Sequence, residues 1–365
     1  MKPILSRSPG RINLIGEHTD YNQGFVLPAA IDKAAYISLT PRLDDRILLA
    51  SRDFKTTHET TLHTLEPTDK GWPNYLLGVV DQLLKQGVKL RGFEAEVWGD
   101  VPAGAGLSSS AAVECAMLIA LDKAFELHMD RMAMAQMAQA AEHAFAGVKV
   151  GIMDPFASLF GKEGHVIRLD CRSLEYEYVP FRAEGYILLL CDSGVHHSLA
   201  SSEYNVRRQQ CEAGVALVKA HHPEVQSLRD VTLDMLQANV KDTVIYNRCR
   251  YVVEENLRLI AACKDLENGD LKAFGKRLYE THLGLSLLYE VSCPELDFLV
   301  EQARHQEAVL GARMMGGGFG GCTLNLVKVD QMEDWSATMK AAYQKELGRT
   351  LKIYAANTSD GGSVQ

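Results

Sequence analysis

The sequence has no long hydrophobic run and no paired cysteine motif, and both absences exclude large classes of protein. None of its apolar segments reaches the roughly 18 residues that a membrane span requires. Its eight cysteines are scattered without a CxxC pair, which argues against a zinc site or a disulfide framework and favours the reducing cytosol. Charged residues come before any apolar core at the N-terminus, so no signal peptide is predicted. We therefore expect a cytoplasmic protein without a membrane partner.

The chain is also short of positive charge. Its formal net charge is −9 at pH 7, which argues against a nucleic-acid partner. With 47% hydrophobic and 23% charged residues, the composition is that of a globular protein. A length of 365 residues suits two domains, and we expect their boundary near residue 180, giving units of 1–180 and 181–365. We expect a monomer or a weak oligomer.

Residues 100–124 carry the most informative local pattern in the chain. A strand is predicted over residues 93–98, Pro102, Gly104 and Gly106 then break regular structure, and three serines precede an Ala- and Leu-rich helix. Such a loop presents backbone N–H groups and the positive end of the helix dipole to an anion. The pattern therefore favours a phosphate-binding loop, with a merely capped turn as the alternative. It is not a Walker A loop, because no Gly-Lys-Ser/Thr follows the glycines.

Four charged or titratable side chains cluster around a predicted turn near the N-terminus. Arg11 comes directly before the short apolar strand, and Glu17, His18 and Asp20 lie between that strand and the apolar residues 24–31. Loops on a rigid scaffold often carry functional residues, so a binding or catalytic role for this group stays open. A solvated loop with a local ion pair is the alternative, because exposed ion pairs are common and contribute little.

Several stretches resemble the galactokinase family of GHMP kinases. Residues 10–24, GRINLIGEHTDYNQG, are very similar to the galactokinase signature, and residues 100–124 resemble the second GHMP signature. Residues 193–211, 282–297 and the glycine-rich 314–323 also resemble family stretches, in the expected order. The resemblance implies an α+β, two-domain GHMP kinase fold with the active site in the interdomain cleft. It also implies phosphorylation of the C1 hydroxyl of α-D-galactose by ATP, the first step of galactose metabolism, with Mg²⁺ as the cofactor.

The resemblance further implies roles for individual residues. Arg11 and Asp154 would be catalytic, the first polarising the reacting hydroxyl and the second accepting or orienting its proton. Ser110 and Glu142 would hold Mg²⁺, which needs few protein carboxylates because phosphates and waters complete its shell. The implied sugar-binding residues are Glu17, His18, Thr19, Asp20, Gly151 and Tyr204. The implied ATP-binding residues are Gly104, Ala105, Gly106, Leu107, Ser108, Ser109 and Ser110.

The chain departs from the family pattern at two places. Pro155 stands where glutamine is expected, and Leu287 and Leu288 replace a common acidic pair. A GHMP kinase for another hexose therefore stays open, as does a silent sensor that binds ATP and galactose. Residues 316–321 match GxGxxG, but the apolar residues 322–327 after them predict a strand rather than a helix, which argues against a dinucleotide-binding loop.

Periodicity and turn residues predict the remaining elements. Helices are expected over residues 72–86, 132–145, 251–260, 271–288 and 335–347, and strands over 34–40, 46–51, 166–170, 186–192, 322–327 and 351–355, with the first two strands paired. Helix statistics alone predict Asp154 as an N-cap before Pro155, and Trp72 is expected in the core. We expect Arg207 and Arg208 to be a solvated pair, and residues 358–365 to be a frayed tail.

Overall fold

The computed structural model describes residues 2–102, 104–147, 149–196 and 200–365. The strands are β1 (Ile4–Asn13), β2 (Phe25–Val26), β3 (Pro28–Pro41), β4 (Arg46–Ser51), β5 (Thr56–Thr61), β6 (Phe93–Gly99), β7 (His165–Asp170), β8 (Tyr176–Pro180), β9 (Tyr186–His196), β10 (Val309–Met314), β11 (Gly320–Lys328), β12 (Lys352–Ala356) and β13 (Ser363–Val364). The helices are α1 (Trp72–Lys85), α2 (Ser109–Phe125), α3 (Arg131–Ala141), α4 (Met153–Phe160), α5 (Ala200–Lys219), α6 (Leu233–Asn239), α7 (Thr243–Glu267), α8 (Leu271–Leu283), α9 (Pro294–Arg304) and α10 (Met332–Leu347). Short π-helical turns extend α3 over Glu142–Ala146 and α8 over Gly284–Leu288.

A six-stranded sheet organises the first half of the chain, in the order β13-β1-β3-β6-β4-β5. Helices α1 to α4 cover one face of this sheet, where side chains such as Leu39, Leu76, Leu118 and Phe156 are fully buried. The predicted amphipathic helix over residues 72–86 is confirmed, because its apolar stripe supplies part of this core. A three-stranded sheet lies beside the six-stranded one. Its strands are arranged in the order β2-β7-β8, which is their order in the sequence.

The predicted pairing of residues 34–40 with residues 46–51 is wrong. β3 pairs with β1 and β6, whereas β4 pairs with β5 and runs parallel to β6. Both strands lie where their alternation predicts them. Their partners differ because the chain returns through α1 and inserts β6 between β3 and β4, a long-range event that local periodicity does not encode.

The second half is built on an antiparallel sheet in the order β10-β11-β9-β12, in which the strand predicted over residues 351–355 appears as β12 at one edge. In β9, Leu188 and Leu190 are buried in the core that includes residues of α7 and α8, while Leu189 and Cys191 are buried in the core of α9 and α10. A strand covered on both faces needs apolar residues at every position. This explains why the sequence shows an unbroken apolar run here rather than alternation.

The two halves share a buried apolar layer. Ile12 and Leu14 from the first half pack in one cluster with Leu190 and Leu324 from the second. The predicted α+β class is therefore observed as two helix-covered sheets joined by a common core. Among the described residues, no helix is both long and apolar enough to cross a bilayer. All eight cysteines are free, and seven of them are buried.

The last residues of the chain do not fray, contrary to the prediction for residues 358–365. β13 pairs with β1, and the Gln365 N–H donates to the Leu5 carbonyl at 2.8 Å. The Gly361 N–H donates to the Gly161 carbonyl at 2.9 Å. The glycines that indicated flexibility instead allow a close backbone approach. The C-terminus therefore completes the sheet of the first half, and the boundary at residue 180 stays a prediction.

Candidate active site

A cavity of about 270 Å³ opens where the two halves meet. Its lining residues are Arg11, Glu17, His18, Asp20, Val150, Gly151, Met153, Asp154, Tyr204 and the three glycines Gly316, Gly317 and Gly318. Seven residues that the sequence predicted for sugar binding or catalysis border it: Arg11, Glu17, His18, Asp20, Gly151, Asp154 and Tyr204. Polar groups on a small concave site of this kind suit a hydroxylated ligand.

The turn after β1 determines how the predicted sugar-binding side chains are oriented towards the cavity. His18 takes a left-handed backbone conformation, with φ at 60°, which turns the chain sharply between Glu17 and Thr19. Thr19 does not line the cavity. Its hydroxyl donates to the Gly16 carbonyl at 2.8 Å and fixes the turn from behind, so the structure supports a positioning role for this residue.

Glu17 is held by a buried arginine that the sequence analysis did not single out. Arg313 Nη2 donates to Glu17 Oε1 at 3.0 Å, and the Gly316 N–H donates to the same oxygen at 2.8 Å. Burial opposes ionisation of Glu17, but the charges of Arg313 and Arg11 outweigh it and lower the pKa of the carboxyl. Glu17 is therefore a carboxylate whose orientation is fixed through Oε1 by Arg313 and Gly316.

Asp154 and Arg11 form a two-pronged ion pair at the cavity floor. Arg11 Nε donates to Oδ1 at 2.7 Å and Nη2 to Oδ2 at 3.0 Å. Ser108 Oγ also donates to Oδ2 of Asp154. Arg11 Nη1 donates to the Gly106 carbonyl at 2.6 Å, so one guanidinium joins the carboxylate to the predicted phosphate loop. A planar fork of donors suits this task better than a lysine would.

The N-cap prediction for Asp154 is wrong. Helix α4 begins at Met153, so Asp154 and Pro155 occupy its second and third positions, and the flanking Ile152 makes no side-chain cap. A proline within the first turn needs no intrahelical N–H bond, so it fits there. The carboxylate of Asp154 is thereby left for Arg11 and Ser108 rather than for backbone amides.

Asp20 and Gly151 touch at the side of the cavity. A Cβ atom on Gly151 would lie 1.8 Å from Oδ2 of Asp20, so only glycine fits there. Burial raises the pKa of Asp20 to about 7, and the negative charges of Asp154 and Glu17 add to this effect. The site therefore contains one carboxyl that is poised near neutral pH beside two that are fixed by arginines.

Tyr204 and its neighbours on α5 contribute the far wall. The ring of Tyr204 lies 5.3 Å from that of His18 and 5.2 Å from that of Tyr21, measured between centroids. The prediction of a solvated Arg207 is wrong, because Arg207 is buried and donates to two backbone carbonyls of the segment after α8. Arg208 remains half-exposed and pairs with Glu212, as a solvated arginine does.

The predicted phosphate loop lies next to this cavity. Gly104 and Gly106 both have φ at 74°, a conformation that favours glycine. Ser108 also has a positive φ, of 55°, and makes no cap bond to α2, which leaves its hydroxyl for Asp154. The glycine-rich motif packs against the loop, because a Cβ on Gly316 would lie 3.5 Å from the Cα of Gly106.

A second cavity, of about 610 Å³, opens on the other side of the phosphate loop. Ser109, Ser110 and Gly104 border it, and its walls carry the aromatic side chains Phe54, Trp72, Tyr75 and Trp98. Trp72 thus lines a cavity besides packing against the core, where the sequence predicted the core alone. Ala105 and Leu107 are buried within the loop and support it from inside.

Ser110 and Glu142 meet as the resemblance implied. Ser110 Oγ donates to Glu142 Oε1 at 3.2 Å, at the border of the second cavity. Burial raises the pKa of Glu142 to about 7, and the charge of Asp154 adds to this effect. Glu114, one helical turn after Ser110, is fully buried, and neither of its carboxylate oxygens has a hydrogen-bond partner among the described residues.

These residues fit a divalent cation. Two buried carboxyls close together are costly unless a positive charge compensates them. A hydroxyl with one carboxylate is a sufficient protein contribution for Mg²⁺ when phosphates and waters supply the other ligands. The described residues contain no group of three or more His, Cys, Asp or Glu side chains arranged as a metal site.

The comparisons with known proteins agree with this arrangement. The N-terminal domain model of the GHMP kinases matches residues 74–162, their C-terminal model matches residues 262–340, and the galactose-binding signature of galactokinases matches residues 1–41. The galactokinase of Roseiflexus sp. (strain RS-1) is 40% identical over 360 residues, which cover 98% of this chain and 92% of that protein. This chain belongs to the galactokinase family. The galactokinase of Thermotoga maritima is 40% identical over 355 residues, or 97% of this chain and 98% of that protein.

Solved structures support the same fold. Lactococcus lactis galactokinase complexed with galactose is 35% identical, with a TM-score of 0.96, and the match covers 100% of this chain and 95% of that one. L. major mevalonate kinase has a TM-score of 0.66 at 18% identity over 99% of this chain and 98% of that one, and shares the fold alone. The resemblance seen in the sequence is thus confirmed, and the chain is an ATP-dependent sugar kinase with the GHMP kinase fold.

The residues at the two departures from the galactokinase pattern do not line the small cavity. Pro155 is buried in the first turn of α4, and its side chain does not line the cavity. Leu287 is 65% exposed at the end of the π-helical turn after α8. The sequence analysis missed Arg313, although a lone arginine inside an apolar strand is an unusual pattern that indicates a buried ion pair.

Proposed function

We propose that this galactokinase-family chain transfers the γ-phosphoryl group of ATP to the C1 hydroxyl of α-D-galactose, giving galactose 1-phosphate and ADP. The observation that carries the proposal is the two-pronged contact between Arg11 and Asp154. It stands at the floor of the small polar cavity and is tied through the Gly106 carbonyl to the phosphate loop. A reacting hydroxyl and a transferring phosphoryl group would meet there.

Galactose would bind in the small cavity. Glu17 and Asp20 offer carboxylate oxygens to its hydroxyls, Gly151 leaves room for the ring, and Tyr204 packs beside it. A buried carboxylate that loses its hydroxyl partner is left unpaired, which costs about 1–3 kcal/mol. Sugars with a missing hydroxyl at these positions should therefore bind poorly.

ATP would lie across the phosphate loop, with its base in the aromatic cavity. The walls formed by Phe54, Trp72, Tyr75 and Trp98 suit a flat heterocycle, and Gly104 with Ser108, Ser109 and Ser110 faces the phosphates. Ser110 and Glu142 would hold Mg²⁺. When bound, the cation neutralises charge on the phosphate oxygens.

Arg11 and Asp154 would have different roles in the phosphoryl transfer. The C1 oxygen attacks the γ-phosphorus, the bond from that phosphorus to the bridging oxygen breaks, and ADP leaves with the electron pair. The proton of the C1 hydroxyl passes to Asp154, which later releases it to solvent. A sugar hydroxyl is too weak an acid to ionise first, so transfer occurs late, as the P–O bond forms. Arg11 adds positive charge at the transferring group.

The test is ADP release from Mg-ATP with galactose, glucose, N-acetylgalactosamine and 2-deoxygalactose. Rapid release with galactose that stops when Mg²⁺ is chelated is the expected result. If another sugar alone causes ADP release, the protein is a kinase, but its substrate is that sugar rather than galactose. Absence of release with every sugar, alongside calorimetric binding of ATP and galactose, would instead identify a sensor.

A further inference from the structure

We propose that Tyr21 and Tyr289 are positioning residues that hold the His18 ring in the wall of the sugar site, with Nδ1 accepting from Tyr21 and the proton on Nε2. Neither tyrosine lines the small cavity, but the two hydroxyls link a buried thiol to the imidazole. The proposal rests on the proposed function of the cavity, since it concerns how this site meets a sugar.

The links form an unbroken series. His18 Nε2 lies 3.2 Å from the Gly317 carbonyl oxygen, and His18 Nδ1 lies 2.8 Å from Tyr21 Oη. Tyr21 Oη lies 2.8 Å from Tyr289 Oη, which in turn lies 3.2 Å from Cys211 Sγ. His18, Tyr289 and Cys211 are all buried.

The direction of every bond in the series follows from one acceptor. A carbonyl oxygen cannot donate, so the proton on the His18 ring must be on Nε2. Burial lowers the pKa of His18 to about 4, so at neutral pH the ring carries a single proton and Nδ1 is a bare acceptor. Tyr21 must therefore donate its only hydroxyl proton to Nδ1.

The same reasoning identifies the donor in each of the two hydrogen bonds beyond Tyr21. Because the Tyr21 proton is committed to His18, Tyr289 must donate to Tyr21, and the Cys211 thiol must donate to Tyr289. Burial raises the pKa of both phenols, so each keeps the proton it donates. Arg207 Nε donates to the Tyr289 carbonyl at 2.8 Å and so holds the backbone of this residue in place.

The other tautomer is disfavoured at Nε2. It would place a bare Nε2 against the Gly317 oxygen and a proton on Nδ1 against the Tyr21 hydroxyl. Tyr21 would then have to donate to Tyr289, and Tyr289 to the Cys211 sulfur, so the mismatch would stand at Nε2 alone. Each unmatched buried group costs free energy, so the series specifies one protonation pattern.

The protonation pattern of His18 affects sugar binding because neighbouring groups in the cavity accept hydrogen bonds, whereas His18 donates one. Glu17 is a pure acceptor, whereas the Nε2–H of His18 is a donor at the wall shared with Gly317. This N–H already donates to the Gly317 carbonyl, so a sugar oxygen that reaches it would accept in a three-centre bond shared with that carbonyl, whereas a hydroxyl that approaches Glu17 must donate. The hydrogen-bonded series therefore holds this shared donor in place at the cavity wall.

The experiment uses the full chain with ¹⁵N-labelled histidine, read by two-bond nitrogen–proton spectra at pH 7. The His18 signals are assigned by their loss in His18→Gln. We expect wild-type His18 to show a protonated Nε2 and an unprotonated Nδ1. Tyr21→Phe should shift the Nδ1 resonance and weaken calorimetric galactose binding about tenfold, because a buried acceptor loses its donor. Tyr289→Phe should give a smaller change in the same direction.

The matched control is Tyr343→Phe. The Tyr343 hydroxyl is buried like that of Tyr289 and donates to the Ser193 carbonyl at 2.8 Å, but it lies outside the series. It should lose stability without altering the His18 resonances or galactose affinity. A proton on Nδ1 in the wild type, or unchanged His18 signals in Tyr21→Phe, would overturn the proposal. The spectra need no turnover, so they remain informative if the ADP-release assay fails.

Discussion

Arg313 and Glu17 form a buried ion pair, with 3.0 Å between Nη2 and Oε1, that ties the second half of the chain to the turn carrying the sugar-site residues. The same guanidinium donates to the carbonyls of Asn13, Leu14 and Met314. A buried charge persists only when its hydrogen-bonding groups are satisfied, and here four acceptors achieve this. The pair thus explains how β10 and the end of β1 hold Glu17 in one orientation.

We expect Arg313→Lys to raise the KM for galactose at least tenfold, with a smaller change in kcat, because lysine keeps the charge but cannot reach all the acceptors. Breaking a buried pair costs about 3–5 kcal/mol, so the melting temperature should fall as well. Steady-state kinetics and thermal melts measure both effects. Arg46→Lys is the control, since Arg46 pairs with Glu59 on the surface and should be neutral. An unchanged KM in Arg313→Lys would show that Glu17 needs no such support.

Asp154→Asn should abolish most turnover while leaving galactose binding measurable. The amide is close in shape to the carboxylate but cannot take the proton of the C1 hydroxyl, and such proton transfers contribute about 10²–10⁴ in rate. Quenched-flow ADP release and calorimetry with galactose separate the two quantities. Asp130→Asn is a suitable control, because Asp130 caps α3 through the Ala133 N–H and lies outside the site. Turnover within a few-fold of wild type in a folded Asp154→Asn protein would remove Asp154 from the mechanism.

Galactose affinity should rise with pH through neutrality because of Asp20. Burial raises its pKa to about 7, so at pH 6 most of the protein carries the neutral acid, whereas at pH 8 most carries the carboxylate that accepts from hydroxyls. We expect the dissociation constant to fall about tenfold between these pH values. His18 does not contribute, since its pKa is lowered to about 4 by burial. Calorimetry without nucleotide makes this measurement.

Asp20→Asn supplies the control for that pH profile. The variant should bind galactose weakly and with no pH dependence between pH 6 and 8. The folded-state pKa of Asp20 lies above its unfolded value, so the wild type loses stability as the pH rises from about 4 to about 7. Asp20→Asn should therefore be more stable than the wild type at pH 8, and by a larger margin than at pH 5. A wild-type affinity that is flat with pH would contradict the assignment.

Local patterns predicted the elements of this fold better than their arrangement. The strand, glycine loop and helix over residues 93–124 appear as expected, because turn residues and periodicity are local properties. The partners of β3 and β4 were not predictable in this way, because β6 enters between them from far along the chain. In the observed register its residues lie 46 positions after their partners in β4 and 52 to 64 positions after their partners in β3. The C-terminal strand was missed for the same reason, because its partner lies at the other end of the chain.

The residues of the candidate site also fall into two groups, those that local sequence patterns predict and those that only the fold reveals. The motif residues Arg11, Glu17 and Asp154 were found because they stand in recognisable stretches, and the fold brings them together as the resemblance implied. Arg313 and Glu114 have no motif of their own. Their importance comes from burial and from side chains far away in the sequence, which only the folded chain reveals.

Glu114→Gln should stabilise the protein, and more so as the pH rises. Glu114 is fully buried, and burial together with the charges of Glu142 and Asp154 raises its pKa well above the usual value. A carboxyl with a raised folded-state pKa loses stability from its unfolded pKa, near 4.5, upward, at about 1.4 kcal/mol per pH unit until the folded group ionises. Thermal melts of wild type and variant at pH 5 and pH 8, without metal or nucleotide, measure the difference.

Glu94→Gln is the matched control, because Glu94 is an exposed glutamate that pairs with Arg42. It should change stability little, and in no systematic way with pH. If Glu114 contributes to the cation site beside Ser110 and Glu142, the stabilised variant should also bind Mn²⁺ more weakly in the presence of ADP, which paramagnetic resonance of the free ion detects. Equal melting temperatures at both pH values would mean that a donor satisfies the Glu114 carboxylate in solution, and that the acidic pair needs no compensating cation.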